Sequence, residues 1–131
     1  MSDRIEDVFD DVPVSRLLGM RLVERSDESA LVVLDPRPDL AQGYGVIQGG
    51  IVSALADAAG VCCFLSPPLA NARVTSIEFK INFLRAARPE NGRMEARARA
   101  VQRGKKVGLA EVEVLQAGEL VAKGLFTYML V

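Results

Sequence analysis

The spacing of apolar residues changes twice along this chain, and each change predicts a different kind of element. Ile5, Val8, Phe9, Leu17 and Leu18 recur at helical intervals, so residues 4–18 are expected to form a short amphipathic helix or helical turns. Residues 20–24 and 30–34 read as two strands joined by the polar turn Ser26-Asp27-Glu28-Ser29. The stretch Asp35-Pro36-Arg37-Pro38-Asp39 ends the second strand and opens a loop that runs to Ile47. Residues 49–65 are then apolar all round, the pattern of a buried helix, and Ser66-Pro67-Pro68 is expected to stop it.

Beyond the helix the period becomes two. Residues 74–84 alternate Ile77, Phe79, Ile81 and Phe83 with Ser76, Glu78, Lys80 and Asn82, which predicts a strand with the first set facing the core. Residues 93–101, 107–115 and 120–130 are three more strands. The turns Glu90-Asn91-Gly92, Arg103-Gly104-Lys105 and Ala117-Gly118 predict hairpins between the four. With no helix among them, they should form an antiparallel meander whose apolar face the one very apolar helix covers. The expected class is α+β, an antiparallel β-sheet wrapped around one long central α-helix, in a single domain over residues 1–131.

Composition narrows the function. Half of the residues are apolar and the formal net charge is −1, which argues against disorder and against nucleic acid as a partner. Three glycines, Gln48 and Asp57, with no basic flanks, weigh against residues 46–65 being a membrane span. Cys62 and Cys63 are adjacent and cannot form an ordinary disulfide with each other; they read as buried packing residues. With an amino terminus too acidic for a signal peptide, they point to a cytoplasmic protein. The chain has no histidine, which removes Ser–His–Asp and Cys–His chemistry and argues against a metal site.

One acid stands out. Between Asp39 and Arg73 the only charged side chain is Asp57, set inside the apolar helix. A carboxylate there needs a partner or a task. The backbone N–H groups of Gly49 and Gly50, at the start of the same helix, form a ready site for developing negative charge. Asp57 lies eight residues beyond Gly49, or about 12 Å along a helix axis, so one carbonyl cannot touch both groups of one helix. If both act on one carbonyl, they come from two subunits of a symmetric dimer.

Gly45-Val46-Ile47-Gln48-Gly49-Gly50, followed by Leu55-Ala56-Asp57, resembles the His-Gly-Gly…Leu-Ala-Asp signature of hotdog-fold acyl-CoA thioesterases of the phenylacetic-acid-degradation type. Residues 76–85, Arg103-Gly104-Lys105-Lys106 and Leu120-Val121-Ala122-Lys123-Gly124 resemble the later strand and hairpins of that family, in order along nearly the whole chain. The resemblance implies a hotdog fold, a homodimer or homotetramer, and hydrolysis of aryl- or short- to medium-chain acyl-CoA to free acid and CoA. No cofactor is implied, since the CoA thioester is itself the substrate.

By the same resemblance Asp57 is the general base or nucleophile, and the Gly49 N–H polarises the thioester carbonyl. Ser76 stands where the family often places a hydroxyl that helps position the water or the acid. Simple alternation turns Ser76 away from the core and Thr75 toward it, so both remain candidates. Gln48 replaces the usual histidine, and Gln42 stands where an asparagine is common. A glutamine can orient by hydrogen bonds but cannot shuttle a proton. Arg85, Arg88, Arg103, Lys105 and Lys106 are candidate cations for the CoA phosphates. The alternative is a non-catalytic hotdog module that binds acyl-CoA or another acyl ligand. A hotdog hydratase or dehydratase normally calls for a histidine–acid pair, which this chain cannot supply.

Overall fold

The alternating segments join into one antiparallel sheet that curls round a single long helix. In the computed structural model, which describes residues 5–65 and 73–130, the chain begins with two short helices, α1 (Ile5–Asp11) and α2 (Pro13–Leu18). Pro13 suits the first turn of α2, and Gly19, at φ 77°, ends it in the left-handed conformation that glycine adopts freely. Strands β1 (Met20–Arg25) and β2 (Ser29–Leu34) follow as a hairpin, with Ser26 Oγ accepting the N–H groups of Glu28 and Ser29 in the turn. Next come the helix α3 (Gly49–Cys62) and strands β3 (Val74–Phe83), β4 (Met94–Arg103), β5 (Val107–Gln116) and β6 (Glu119–Leu130). This is the hotdog arrangement.

The strand order is β1-β2-β4-β5-β6-β3. The expected meander holds for β4, β5 and β6. It fails for β3, which pairs with β6 at the far edge rather than with β4. Residues around Glu90-Asn91-Gly92 are therefore not a hairpin turn but part of a crossover containing the 3-10 turn Pro89–Asn91. Buried Gln116 pins that crossover to the end of β5. Its side-chain amide accepts the Arg88 N–H at 3.1 Å and donates to the carbonyls of Arg88 (2.7 Å) and Gly92 (2.8 Å). Turn-forming residues signal a change of direction, not which strand the chain meets next.

Val52, Leu55, Ala56, Ala59 and Cys62 of α3 are buried in one cluster with Val32, Leu34, Ala96, Ala98, Ala110, Val112 and Phe126 of the sheet. Small alanines on both sides let the helix lie close to the strands. Leu55 is fully enclosed, so truncating it to alanine should lower stability by about 2–5 kcal/mol. Helix α3 ends at Cys62, before the Ser66-Pro67-Pro68 stop, which lies outside the described residues. Two arginines serve its carboxyl end instead. Arg25 Nε donates to Cys62 O at 2.9 Å and its Nη2 to Leu65 O, while Arg103 Nη2 donates to Cys63 O. Cations there complement the carbonyl end of the helix dipole.

Two expectations about burial need correction. The opposite face of α3, with Ala54, Asp57, Ala58 and Val61, is only half-buried, so the helix is not wrapped on all sides. On β3, Ile77, Phe79 and Phe83 keep 51%, 47% and 53% of their surface exposed, because among the described residues the strand is a sheet edge with no strand beyond it. Among the described residues no helix is long and apolar enough to cross a membrane.

Candidate active site

Asp57 projects from the half-buried face of α3 toward the start of β3. Ser76 Oγ donates to it, lying 2.8 Å from Oδ1 and 3.1 Å from Oδ2. A β-bulge brings this about. The β3–β6 register pairs Ser76 with Tyr128 and then Glu78 with Thr127, leaving Ile77 as an extra residue. Each side of the bulge keeps its own alternation, so the simple period through β3 gives the wrong face for residues 74–76. Ser76 faces inward beside Tyr128, and Thr75, paired with Met129, faces away. Of the two candidate hydroxyls, the structure brings only Ser76 to the acid.

Tyr128, which sequence reasoning did not single out, completes the group. Its side chain is fully buried, and its hydroxyl lies 3.1 Å from both Asp57 Oδ1 and the Asp57 carbonyl oxygen. Burial, and then the negative charge of Asp57, push the Tyr128 phenol far above its usual range, so it stays protonated and can only donate to the carboxylate. Asp57 also lines an apolar cavity of about 510 Å3 between α1–α2 and α3, walled by Phe9, Val12, Met20, Ala54, Ala58 and Val61 among others. Phe9 is the only aromatic residue among its lining residues.

The glycine pair lies elsewhere. Gln48 is the N-cap of α3, with extended backbone and no side-chain cap bond. The Gln48 carbonyl accepts from Ile51 and Val52, while the N–H groups of Gly49 and Gly50 make no hydrogen bond among the described residues. Gln48 folds its side chain over Gly50, where a Cβ would stand 2.6 Å from Oε1. Gly49 lies under the Phe83 ring and lines a second cleft with Gln42, Val46, Phe83, Arg85 and Val121. Within one chain, then, the acid and the amide donors occupy separate half-sites, at the two ends of β3.

The remaining candidates are placed as follows. Gln42 shapes the loop before α3: its Oε1 accepts the Tyr44 N–H at 3.0 Å and its N–H donates to Val46 O at 2.8 Å. Arg85 borders the Gly49 cleft and pairs with Glu119 at 3.4 Å. Arg88 Nη1 donates to Tyr44 O at 3.4 Å. Arg103 is engaged with the carbonyls of Asp27 and Cys63, and its guanidinium lies 5.1 Å above the Phe64 ring. Lys105 and Lys106 are exposed at the tip of the β4–β5 hairpin, which Arg103 ties to the carboxyl end of α3. Both cysteines are free and buried, and burial pushes Cys62 to about 12 and Cys63 to about 11, which leaves them neutral thiols at physiological pH. The described residues contain no cluster of acids and cysteines able to hold a metal ion.

Known proteins resemble this chain along most of its length. Residues 44–123 match the thioesterase superfamily. A candidate esterase of Halobacterium salinarum is 32% identical over 117 residues, covering 85% of this chain and 75% of that protein. Among solved structures, a conserved protein of Pseudomonas aeruginosa superposes with a TM-score of 0.86 at 29% identity, covering 95% of this chain and 98% of the other. A mutant of the phenylacetic acid degradation protein PaaI from Thermus thermophilus gives 0.80 at 26% identity, covering 92% of this chain and all (100%) of the other.

Proposed function

The chain belongs to the thioesterase superfamily, and from that premise we propose that it hydrolyses acyl-CoA thioesters to the free acid and CoA. The observation that carries this reading is Asp57, a carboxylate held by two hydroxyl donors at the wall of an apolar cavity. A thioester is an activated acyl donor, so hydrolysis needs an oriented acid and donors for the oxyanion, and no cofactor enters the scheme. Asp57 acts as general base on a water or as nucleophile on the acyl carbon. The apolar acyl group lies in the cavity beneath α1 and α2.

The oxyanion donor comes from a second copy of the chain. Edge strand β3 runs from the Asp57–Ser76 half-site at one end to the Gly49–Phe83 half-site at the other. Antiparallel pairing of two β3 edges about a two-fold axis between Phe79 and Lys80 sets Ser76 opposite Phe83 of the partner subunit. That pairing joins each acid to the Gly49 N–H of the partner subunit and satisfies the open backbone groups of the β3 edge. Arg85, beside the Gly49 cleft, and Lys105 and Lys106, near the acid end of α3, are then the cations placed to meet the CoA phosphates. Arg103 is engaged with the carbonyls of Asp27 and Cys63, while Arg88, with one 3.4 Å bond to Tyr44 O, keeps its other donors for a phosphate.

Release of free CoA from a panel of aryl- and alkyl-CoA thioesters, followed by chromatography, tests the proposal. Wild type should hydrolyse at least one member of the panel, and Asp57→Asn should fold normally and lose most of kcat with little change in KM. A well-folded wild type that hydrolyses none of them but binds acyl-CoA would instead identify a binding module, with Gln48 the first residue to question.

A further inference from the structure

We infer that Tyr128 is a positioning residue for the Asp57 carboxylate, and that Gly60 is a glycine so that the Tyr128 hydroxyl can reach it. This rests on Asp57 being the reacting acid. Gly60 lies in α3, one turn beyond Asp57, where a glycine weakens the helix and alanine would be the ordinary choice. A Cβ built at Gly60 runs into the Tyr128 hydroxyl oxygen and comes within 2.9 Å of Cζ. The missing side chain is therefore occupied by the phenol.

The ring is held from behind in the same way. Phe64 packs tilted on Tyr128, with centroids 5.6 Å apart. Phe64 in turn fills the space that a side chain on Gly108 would take, where a Cβ would lie 2.6 Å from its ring. Arg103 closes the outer face of Phe64 at 5.1 Å. Tyr128 is thus enclosed and backed by Phe64, and its hydroxyl bridges the backbone carbonyl and side chain of the same residue, Asp57.

The consequence concerns the two carboxylate oxygens. Oδ1 receives Tyr128 at 3.1 Å and Ser76 at 2.8 Å, whereas among the described residues Oδ2 has only the longer 3.1 Å approach of Ser76. Oδ1 is the anchored oxygen, and Oδ2 keeps lone pairs for a water or an acyl carbon. Fixing the rotamer of the acid is a contribution to kcat rather than to binding.

Three variants test this: Tyr128→Phe, Gly60→Ala and the two combined. Kinetics are measured on the thioester that wild type hydrolyses fastest, and the Tyr128→Phe crystal structure supplies a readout that needs no substrate. Tyr128→Phe should keep KM within about twofold and lower kcat about tenfold or more. The Asp57 side chain in its crystals should depart from the pose bonded to Ser76 or divide between two poses. Gly60→Ala, which displaces the hydroxyl without deleting it, should lower kcat by a similar factor in wild type and add little in the Tyr128→Phe background. In an active enzyme, an unmoved Asp57 or an unchanged kcat in Tyr128→Phe would overturn the inference, as would a loss of thermal stability alone. If wild type hydrolyses no thioester, the crystal structure still decides: a displaced Asp57 keeps the positioning role while the thioesterase reading fails, and an unmoved one ends both.

Discussion

Replacing Ser76 by alanine separates a bulged β3 from a regularly alternating one. The variant deletes a hydroxyl 2.8 Å from Asp57 Oδ1 and 3.1 Å from Oδ2. Hydrogen bonds to charged groups contribute about 1.5–3 kcal/mol, and a full loss in the transition state would lower kcat/KM about 10- to 150-fold. Two features favour the lower end. Tyr128 still holds Oδ1, and Ser76 is exposed in the single chain, where water can replace part of its bond. A fall of about tenfold is therefore expected, mostly in kcat. Thr75→Val is the control, since Thr75 pairs with Met129 on the outward face, and it should stay within about twofold of wild type. The assay is CoA release at several substrate concentrations, with melting curves confirming that both variants fold. If Thr75→Val falls as far as Ser76→Ala, or further, residues 74–76 follow the simple alternation and the bulge at Ile77 does not aim the hydroxyl.

Other outcomes follow from the same geometry. Ala58 lines the cavity beside Asp57, so Ala58→Leu should lower kcat/KM about tenfold or more for the bulkiest acyl groups and spare the smallest; a uniform fall across an acyl-length series would place the acyl group elsewhere. Cys62 and Cys63 titrate at about 12 and about 11 in the folded chain against an ordinary 9.0, so above about pH 9 the folded state binds more protons than the unfolded state. Stability should hold up to about pH 9 and decline as pH rises toward 11–12, with Tyr128 acting in the same direction; a denaturation midpoint that climbs from pH 8 to 10.5 would contradict this. In the same folded protein both thiols should resist a disulfide reagent until denaturant is added.

Much of this arrangement is visible in the sequence, and what is hidden is hidden for physical reasons. The strands show as period two because burial of one face leaves that pattern, and α3 shows as an apolar run although its Asp57 face is only half-buried. Asp57 shows because charge is rare in such a run. The bulge at Ile77 does not show, since an apolar residue stands there and the alternation continues unbroken through it. The placement of β3 at the far edge, beside β6, is a long-range choice that no local residue encodes. Tyr128 lies 71 residues from Asp57, on a strand with other inward residues that look alike. One trace of it was available: Gly60, a glycine inside a helix otherwise rich in alanine, which marks a close approach from another element. Arg25 likewise reads as an ordinary charge near a hairpin turn, and Arg103 as a candidate cation for CoA, until the carboxyl end of α3 is placed beside them.

The most direct test of the shared site uses two variants, each defective in one half. Asp57→Asn removes the acid. Gly49→Pro removes the amide donor at the first position of α3, where proline suits a helix, and the preceding Gln48, at φ −61° and ψ 136°, already has the backbone that a following proline requires. The Phe83 ring, 3.2 Å from the position of the new Cβ, must yield slightly. Each variant alone should be nearly inactive. Co-expressed with different tags and purified as the heterodimer, they form one site with both groups intact and one with neither, so about half of the wild-type activity per dimer should return. A pure heterodimer as inactive as its parents would show that the acid and the amide donor act from the same chain, and would contradict the shared site.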